Sequence, residues 1–239
     1  MKSASTDPLL LEIFHRSGWL SERKAGFRDA LLTSGYSQSY QTGQFTNHLG
    51  DELGGIFGVI QGSFGVIGQS PSVGVVLGHI YRSAGWFGEG PLITRRPRML
   101  SFKAMEPSLV HYIPLNELDH LLRHFPGAET ELMSLVAYSS QIAVDAMADL
   151  LIRRADRRIA AVLLRVTDAQ SAVPTGSGQS GPSGCFVTQS DLAEMANVSR
   201  HTINAVLKKF EAEGWIKTGY GRISVCSAAD LRNFLVDDG

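Results

Sequence analysis

Apolar residues recur along this chain with more than one period. Between residues 9 and 34, Leu9, Leu10, Leu11, Ile13 and Phe14, then Phe27, Ala30, Leu31 and Leu32, predict short helices. From Tyr36 to about Ile113 the apolar runs shorten and glycine punctuates them. Ile56-Phe57-Gly58-Val59-Ile60, Ser63-Phe64-Gly65-Val66-Ile67, Val73-Gly74-Val75-Val76-Leu77 and Ser108–Ile113 have strand length, and Gln61-Gly62 separates the first two. Many short strands between turn residues predict an antiparallel barrel or jelly roll. Leu115, Leu118, Leu121 and Leu122 then predict a short helix that stops near Pro126. A segment from about Glu129 to Val166 contains neither Pro nor Gly and carries Leu132, Leu135, Val136, Ile142, Ala143, Ala146, Met147, Leu150 and Leu151. It is too long for one average helix, so the pattern predicts a long helix, a break near Arg153–Asp156 and a second helix to Val166. A long helix beside a barrel has a spare apolar face, and pairing with a second copy would bury it. Ala169–Gly184, rich in Ser, Gly and Pro, predicts a mobile loop.

The segment Thr188–Ile216 reads as a helix-turn-helix. Thr188 can cap a first helix, with Asp191 three residues on in a capping-box position. Leu192, Ala193 and Ala196 give that helix a small apolar face that a second helix can cross closely. Asn197 sits where the turn needs a residue tolerant of positive φ, and Ser199 can cap the second helix. Ile203, Val206, Leu207 and Phe210 then face the core, leaving Arg200, His201, Asn204 and Lys208 on the opposite side. Gly214-Trp215-Ile216, the turn Thr218–Arg222 and Ile223-Ser224-Val225 predict the two strands of a wing. The fold class expected is therefore α+β: an N-terminal antiparallel jelly-roll barrel, a long dimerisation helix and a C-terminal winged helix-turn-helix. The DNA-binding residues expected are Ser199, Arg200, His201, Thr202, Asn204, Lys208 and Arg222, with Arg200 as the base reader because its fork matches guanine O6 and N7.

Composition narrows the chemistry. The chain has 239 residues, a net charge of -1 and two cysteines, Cys185 and Cys226. A near-neutral balance excludes a histone-like protein but permits a locally basic helix. Residues 1–184 hold no thiolate, which excludes an iron–sulfur centre in the barrel. No stretch has the apolar length of a signal peptide or a membrane span, so a cytoplasmic protein is expected.

Barrel, long helix and winged helix-turn-helix in this order resemble the Crp/Fnr family of bacterial transcription regulators. The resemblance rests on Gly43, Gly50-Asp51, Ile56–Val66 and Trp86-Phe87-Gly88-Glu89 in the barrel, on Asp156–Leu164, and on the C-terminal run above. It implies a sensor barrel with N-terminal helices over 1–125, a dimer helix over 126–152 and a DNA-binding domain over 153–239. It implies a homodimer on a palindromic operator, allosteric control through the barrel, and RNA polymerase as a protein partner. In the cyclic-AMP-binding members, a Glu holds the ribose, an Arg holds the cyclic phosphate, and a Ser or Thr follows the Arg. Gly88, Glu89 and Arg98 fall near those positions, so cyclic AMP or another small anion would bind there. Met99, where Ser or Thr is wanted, weighs against it, as do Ala143 and Val144 at the positions that would meet the adenine.

Two alternatives stay open. The barrel could be a scaffold or partner surface that needs no effector. More remotely, Gly43, His48 and Glu52 loosely match a cupin metal motif, but Gly50 stands where that motif wants a second histidine, so no catalytic residue or metal ligand is expected.

Overall fold

The computed structural model describes residues 11–167, 183–219 and 221–236. They form two compact units. One joins Met1–Gln69 to Ile80–Ile142, and the other joins Ser70–His79 to Ala143–Gly239.

The first unit opens with three short helices, α1 (Ile13–Arg16), α2 (Gly18–Ser21) and α3 (Ala25–Thr33). Two four-stranded sheets follow. One has the order β1 (Tyr36–Tyr40), β8 (Ser108–Ile113), β3 (Ile56–Gln61), β6 (Trp86–Phe87). The other has the order β2 (Phe45–Asn47), β7 (Ser101–Ala104), β4 (Ser63–Ser70), β5 (Gly74–Arg82). The strands read from sequence are all present; β1, β2, β6 and β7 are too short or too polar to stand out from pattern alone.

The run Ile56–Ile60 is buried throughout because β3 has apolar cover on both faces. Ile56 and Ile60 join Phe14, Trp19, Phe27, Leu31, Trp86 and Leu118 in a layer built with the helices. Phe57 and Val59 point the other way, into the space between the sheets, with Phe64, Tyr81, Phe87, Phe102 and Val110. Gly58 lies between Ile56 and Ile60 because Trp86 and Phe14 pack directly on its backbone; a Cβ there would meet both rings below 3 Å. Gly62, at φ +88°, turns the chain from the first sheet into the second.

After α4 (Gly90–Thr94) and α5 (Leu115–His124) comes the long helix α6 (Ala128–Leu151). It breaks at 152–154 and α7 (Ala155–Val166) follows, as the pattern indicates. Leu132 and Leu135 of α6 bury into the helix-covered layer of the first unit.

In the second unit, α7 packs with α8 (Gln189–Met195), α9 (Arg200–Ala212) and α10 (Ala228–Val236). A three-stranded sheet, β10 (Ile216–Gly219), β11 (Arg222–Val225), β9 (Ser183–Phe186), completes it. The loop expected over Ala169–Gly184 therefore ends earlier: Ser183 and Gly184 already pair with Val225 and Ser224, and the ladder supplies bonds that local composition does not reveal. The rest of that loop lies outside the described residues.

Candidate nucleic-acid interface and sensor pocket

The helix-turn-helix is built by its caps. The Thr188 hydroxyl accepts from the Asp191 amide at 3.1 Å, and the Asp191 carboxylate accepts from the Thr188 amide at 2.9 Å. Asn197 takes φ +49°, the left-handed residue that the turn requires, and the Val198 amide donates back to Ala193 O at 2.9 Å. The Ser199 hydroxyl accepts from the Thr202 amide at 3.1 Å and opens α9. Ile203, Leu207 and Phe210 are buried, which fixes the rotation of α9 and leaves Arg200, His201, Asn204 and Lys208 exposed on its free side.

The expected DNA-binding residues therefore divide. Ser199 and Thr202 are engaged with each other at the cap, their hydroxyls 2.9 Å apart. Arg200 projects at the start of α9, and its Nη2 donates to the Ser190 hydroxyl at 2.7 Å. Ser190 was not singled out from sequence; only the crossing of α8 and α9 brings it to a residue ten positions away. The Arg222 guanidinium lies 4.7 Å over the Phe186 ring, so the wing arginine is held against β9. Lys209 is similarly committed, with Nζ 5.2 Å above Phe234.

The sensor region behaves differently. Glu89 lies two residues beyond β6 and is the N-cap of α4, whose first turn accommodates Pro91. Burial pushes the Glu89 carboxyl pKa up. The backbone amides of Glu89 and Gly88, the Ser139 hydroxyl on α6 and the Arg98 guanidinium oppose that rise. Tyr81 shares this surrounding, and burial raises its hydroxyl as well.

Arg98, expected as an anion partner, is buried and bonded to backbone carbonyls. It is 4% exposed, and it donates from Nη1 to Gly88 O and from Nη2 to Gly55 O, each at 2.7 Å. Its guanidinium sits 5.8 Å from the Phe57 ring centre. Gly88 and Gly54 leave room for it, since a Cβ on either would press on the guanidinium. Two of its five N–H donors thus tie two loops together. Arg95 is likewise paired, with Asp119 at 2.5 Å, and Met99 is 69% exposed. Near Arg98 the space between the sheets is lined by stacked rings, Phe57 on Phe87 at 5.3 Å, Phe87 on Phe102 at 4.3 Å and Phe57 on Tyr112 at 4.7 Å. Ala143 and Val144 are both exposed on α6. Among the described residues no group of three or more His, Cys, Asp or Glu side chains is placed to hold a metal ion.

Comparison with known proteins agrees with this architecture. The cyclic nucleotide-binding domain matches residues 37–125, and the Crp-like helix-turn-helix domain matches residues 157–234. None of the curated proteins compared by sequence matches the chain. Among solved structures, FixK2 from Bradyrhizobium japonicum is similar, with 17% identity, a TM-score of 0.69, and coverage of 86% of this chain and 99% of that one. The c-di-GMP-responsive global regulator CLP of Xanthomonas campestris has 20% identity and a TM-score of 0.61, over 85% of this chain and 100% of its own. A transcriptional regulator of the CRP/FNR family from Thermus thermophilus has 20% identity and a TM-score of 0.62, over 85% and 100%. At these identities the likeness is one of fold.

Proposed function

Carrying both domains in order, the chain belongs to the Crp/Fnr family of DNA-binding transcription regulators, not enzymes, and from that premise we propose that it acts as a homodimer on a two-fold symmetric operator. The observation that carries this is the free side of α9, where a capped, core-anchored helix exposes Arg200, His201, Asn204 and Lys208 together. In the major groove, Arg200 would reach a base edge, His201 and Asn204 would read beside it, and Lys208 and the wing Arg222 would meet phosphates.

A seam on α6 supports the second copy. Met133, Ala137, Ser140, Val144, Met147 and Leu151 are all exposed, and they follow one another at alternating spacings of four and three residues. That repeat makes one stripe along a helix and fits a parallel two-stranded coiled coil. Two-fold symmetry through this seam would set the half-sites about one helical turn, ~34 Å, apart. Such a regulator works in the cytoplasm, where it meets DNA and RNA polymerase. No helix among the described residues is long and apolar enough to cross a membrane.

The barrel geometry favours a regulator whose DNA binding does not depend on cyclic AMP. Arg98 is engaged with two carbonyls, and stacked rings line the interior near it. The test is selection from a random duplex library by the purified protein at one fixed salt concentration, with and without cyclic AMP. Enrichment of a symmetric site in both arms is the expected result. Enrichment only with the nucleotide would overturn the effector-independent reading, and no enriched site in either arm would overturn the operator reading.

A further inference from the structure

The tip of the β4–β5 hairpin, residues Ser70–His79, belongs to the same compact unit as the helix-turn-helix, and a ring of hydrogen bonds holds it there. Among the described residues β5 is the outer strand of its sheet, so half of its amides face away from β4. One of them, on Leu77, donates to Glu194 Oε1 of α8 at 2.6 Å. Leu77 is buried at this junction, whereas Val73 and Val75 nearer the tip are exposed.

Two arginines on α7, seven residues and so about two turns apart, complete the ring. Arg165 is buried; its Nε donates to Asp149 of α6 at 2.7 Å, and its Nη1 reaches Gly78 O at 3.2 Å and His79 Nδ1 at 3.0 Å. Arg158 donates from Nε to Ala196 O at 2.5 Å, from Nη2 to Asn197 O at 3.3 Å and from Nη1 to Ile152 O at 2.6 Å. The turn between α8 and α9 is thus tied to the end of the long helix, the long helix to the hairpin, and the hairpin back to α8. None of these residues belongs to the exposed set on α9, so the ring holds the reading helices without covering them.

We infer that the β4–β5 hairpin is a brace for the reading helices, and that Glu194 and Arg165 are positioning residues for operator recognition. This rests on the reading that α9 contacts DNA. A closed ring holds α8 and α9 in one orientation; with one link open they sample several, and operator affinity falls with the fraction that remains competent.

The test compares Glu194→Ala with Glu194→Gln in the full-length protein, by fluorescence anisotropy on the selected operator and on a scrambled duplex at the same salt. Both variants lose the same charge, but only Gln keeps an oxygen to accept from Leu77. The expected result is an operator Kd raised about tenfold in E194A and restored to within twofold in E194Q, with scrambled-duplex affinity equal in the two. R165K, which keeps the charge beside Asp149 but not the fork, is expected to lower the operator-to-scrambled ratio as E194A does. Equal operator affinity of E194A and E194Q, or tighter operator binding by E194A, would overturn the inference. A wild-type protein that selects no operator would overturn the DNA-contact premise and the inference with it.

Discussion

Replacing Arg98 by Met separates two roles for that residue by the sign of the stability change. Met keeps most of the side chain's length and apolar contact with Phe57 but donates nothing. In the structure the guanidinium supplies hydrogen bonds to Gly88 O and Gly55 O, both in buried surroundings. Each carbonyl left unpaired costs about 1–3 kcal/mol, so R98M is expected to lose about 2–6 kcal/mol, with about 4 kcal/mol as the central value. For a chain of 239 residues, at about 2–4 °C per kcal/mol, that lowers the Tm by roughly 10 °C. An arginine kept vacant for a ligand phosphate would instead be a buried charge without a partner. Its removal would be neutral or stabilising. The assay is thermal and urea unfolding followed by tryptophan fluorescence, where the buried Trp19 and Trp86 report the first unit. An R98M protein as stable as wild type would refute the reasoning, as would a wild-type Tm that climbs with millimolar cyclic AMP, since a ligand that binds only the folded state raises stability by mass action.

Three further outcomes follow from the same structure. Met147→Glu places a carboxylate in the proposed seam of α6, where an unpaired buried charge costs several kcal/mol; sedimentation at micromolar concentration should show monomer, and a persistent dimer would exclude this seam. Arg200→Ala should cost about 1–3 kcal/mol on the cognate operator at matched salt and relax specificity at one base pair; unchanged affinity would mean that α9 reads DNA in another register. His111 is fully buried and hydrogen-bonds Leu32 O at 2.9 Å, and burial brings its pKa down from 6.5 to about 4. Its neutral form is the folded form, so its contribution is complete above pH 6.5 and is lost as the pH falls towards 4, about 3 kcal/mol in all. The urea midpoint of the wild type should drop over that window more steeply than that of His111→Gln; parallel curves would exclude the assignment.

Much of the molecule follows from local pattern. The caps Thr188 and Ser199, the left-handed Asn197 and the inward positions Ile203, Leu207 and Phe210 need only neighbours three or four residues away, so their roles are readable along the chain. The same holds for the doubly covered strand Ile56–Ile60 and for the break that separates α6 from α7. What sequence does not reveal is the choice among partners for long polar side chains. Arg98 has no local feature that distinguishes a ligand contact from a bond to Gly55 O, 43 residues away. Arg158, Arg165 and Glu194 look like ordinary surface charges on amphipathic helices until packing brings the turn, the long helix and the hairpin within reach of them. Period and capping are short-range and are written in consecutive residues, so the chain alone determines its elements and its family. A guanidinium takes whichever acceptors the packed elements present, and only the tertiary structure decides that.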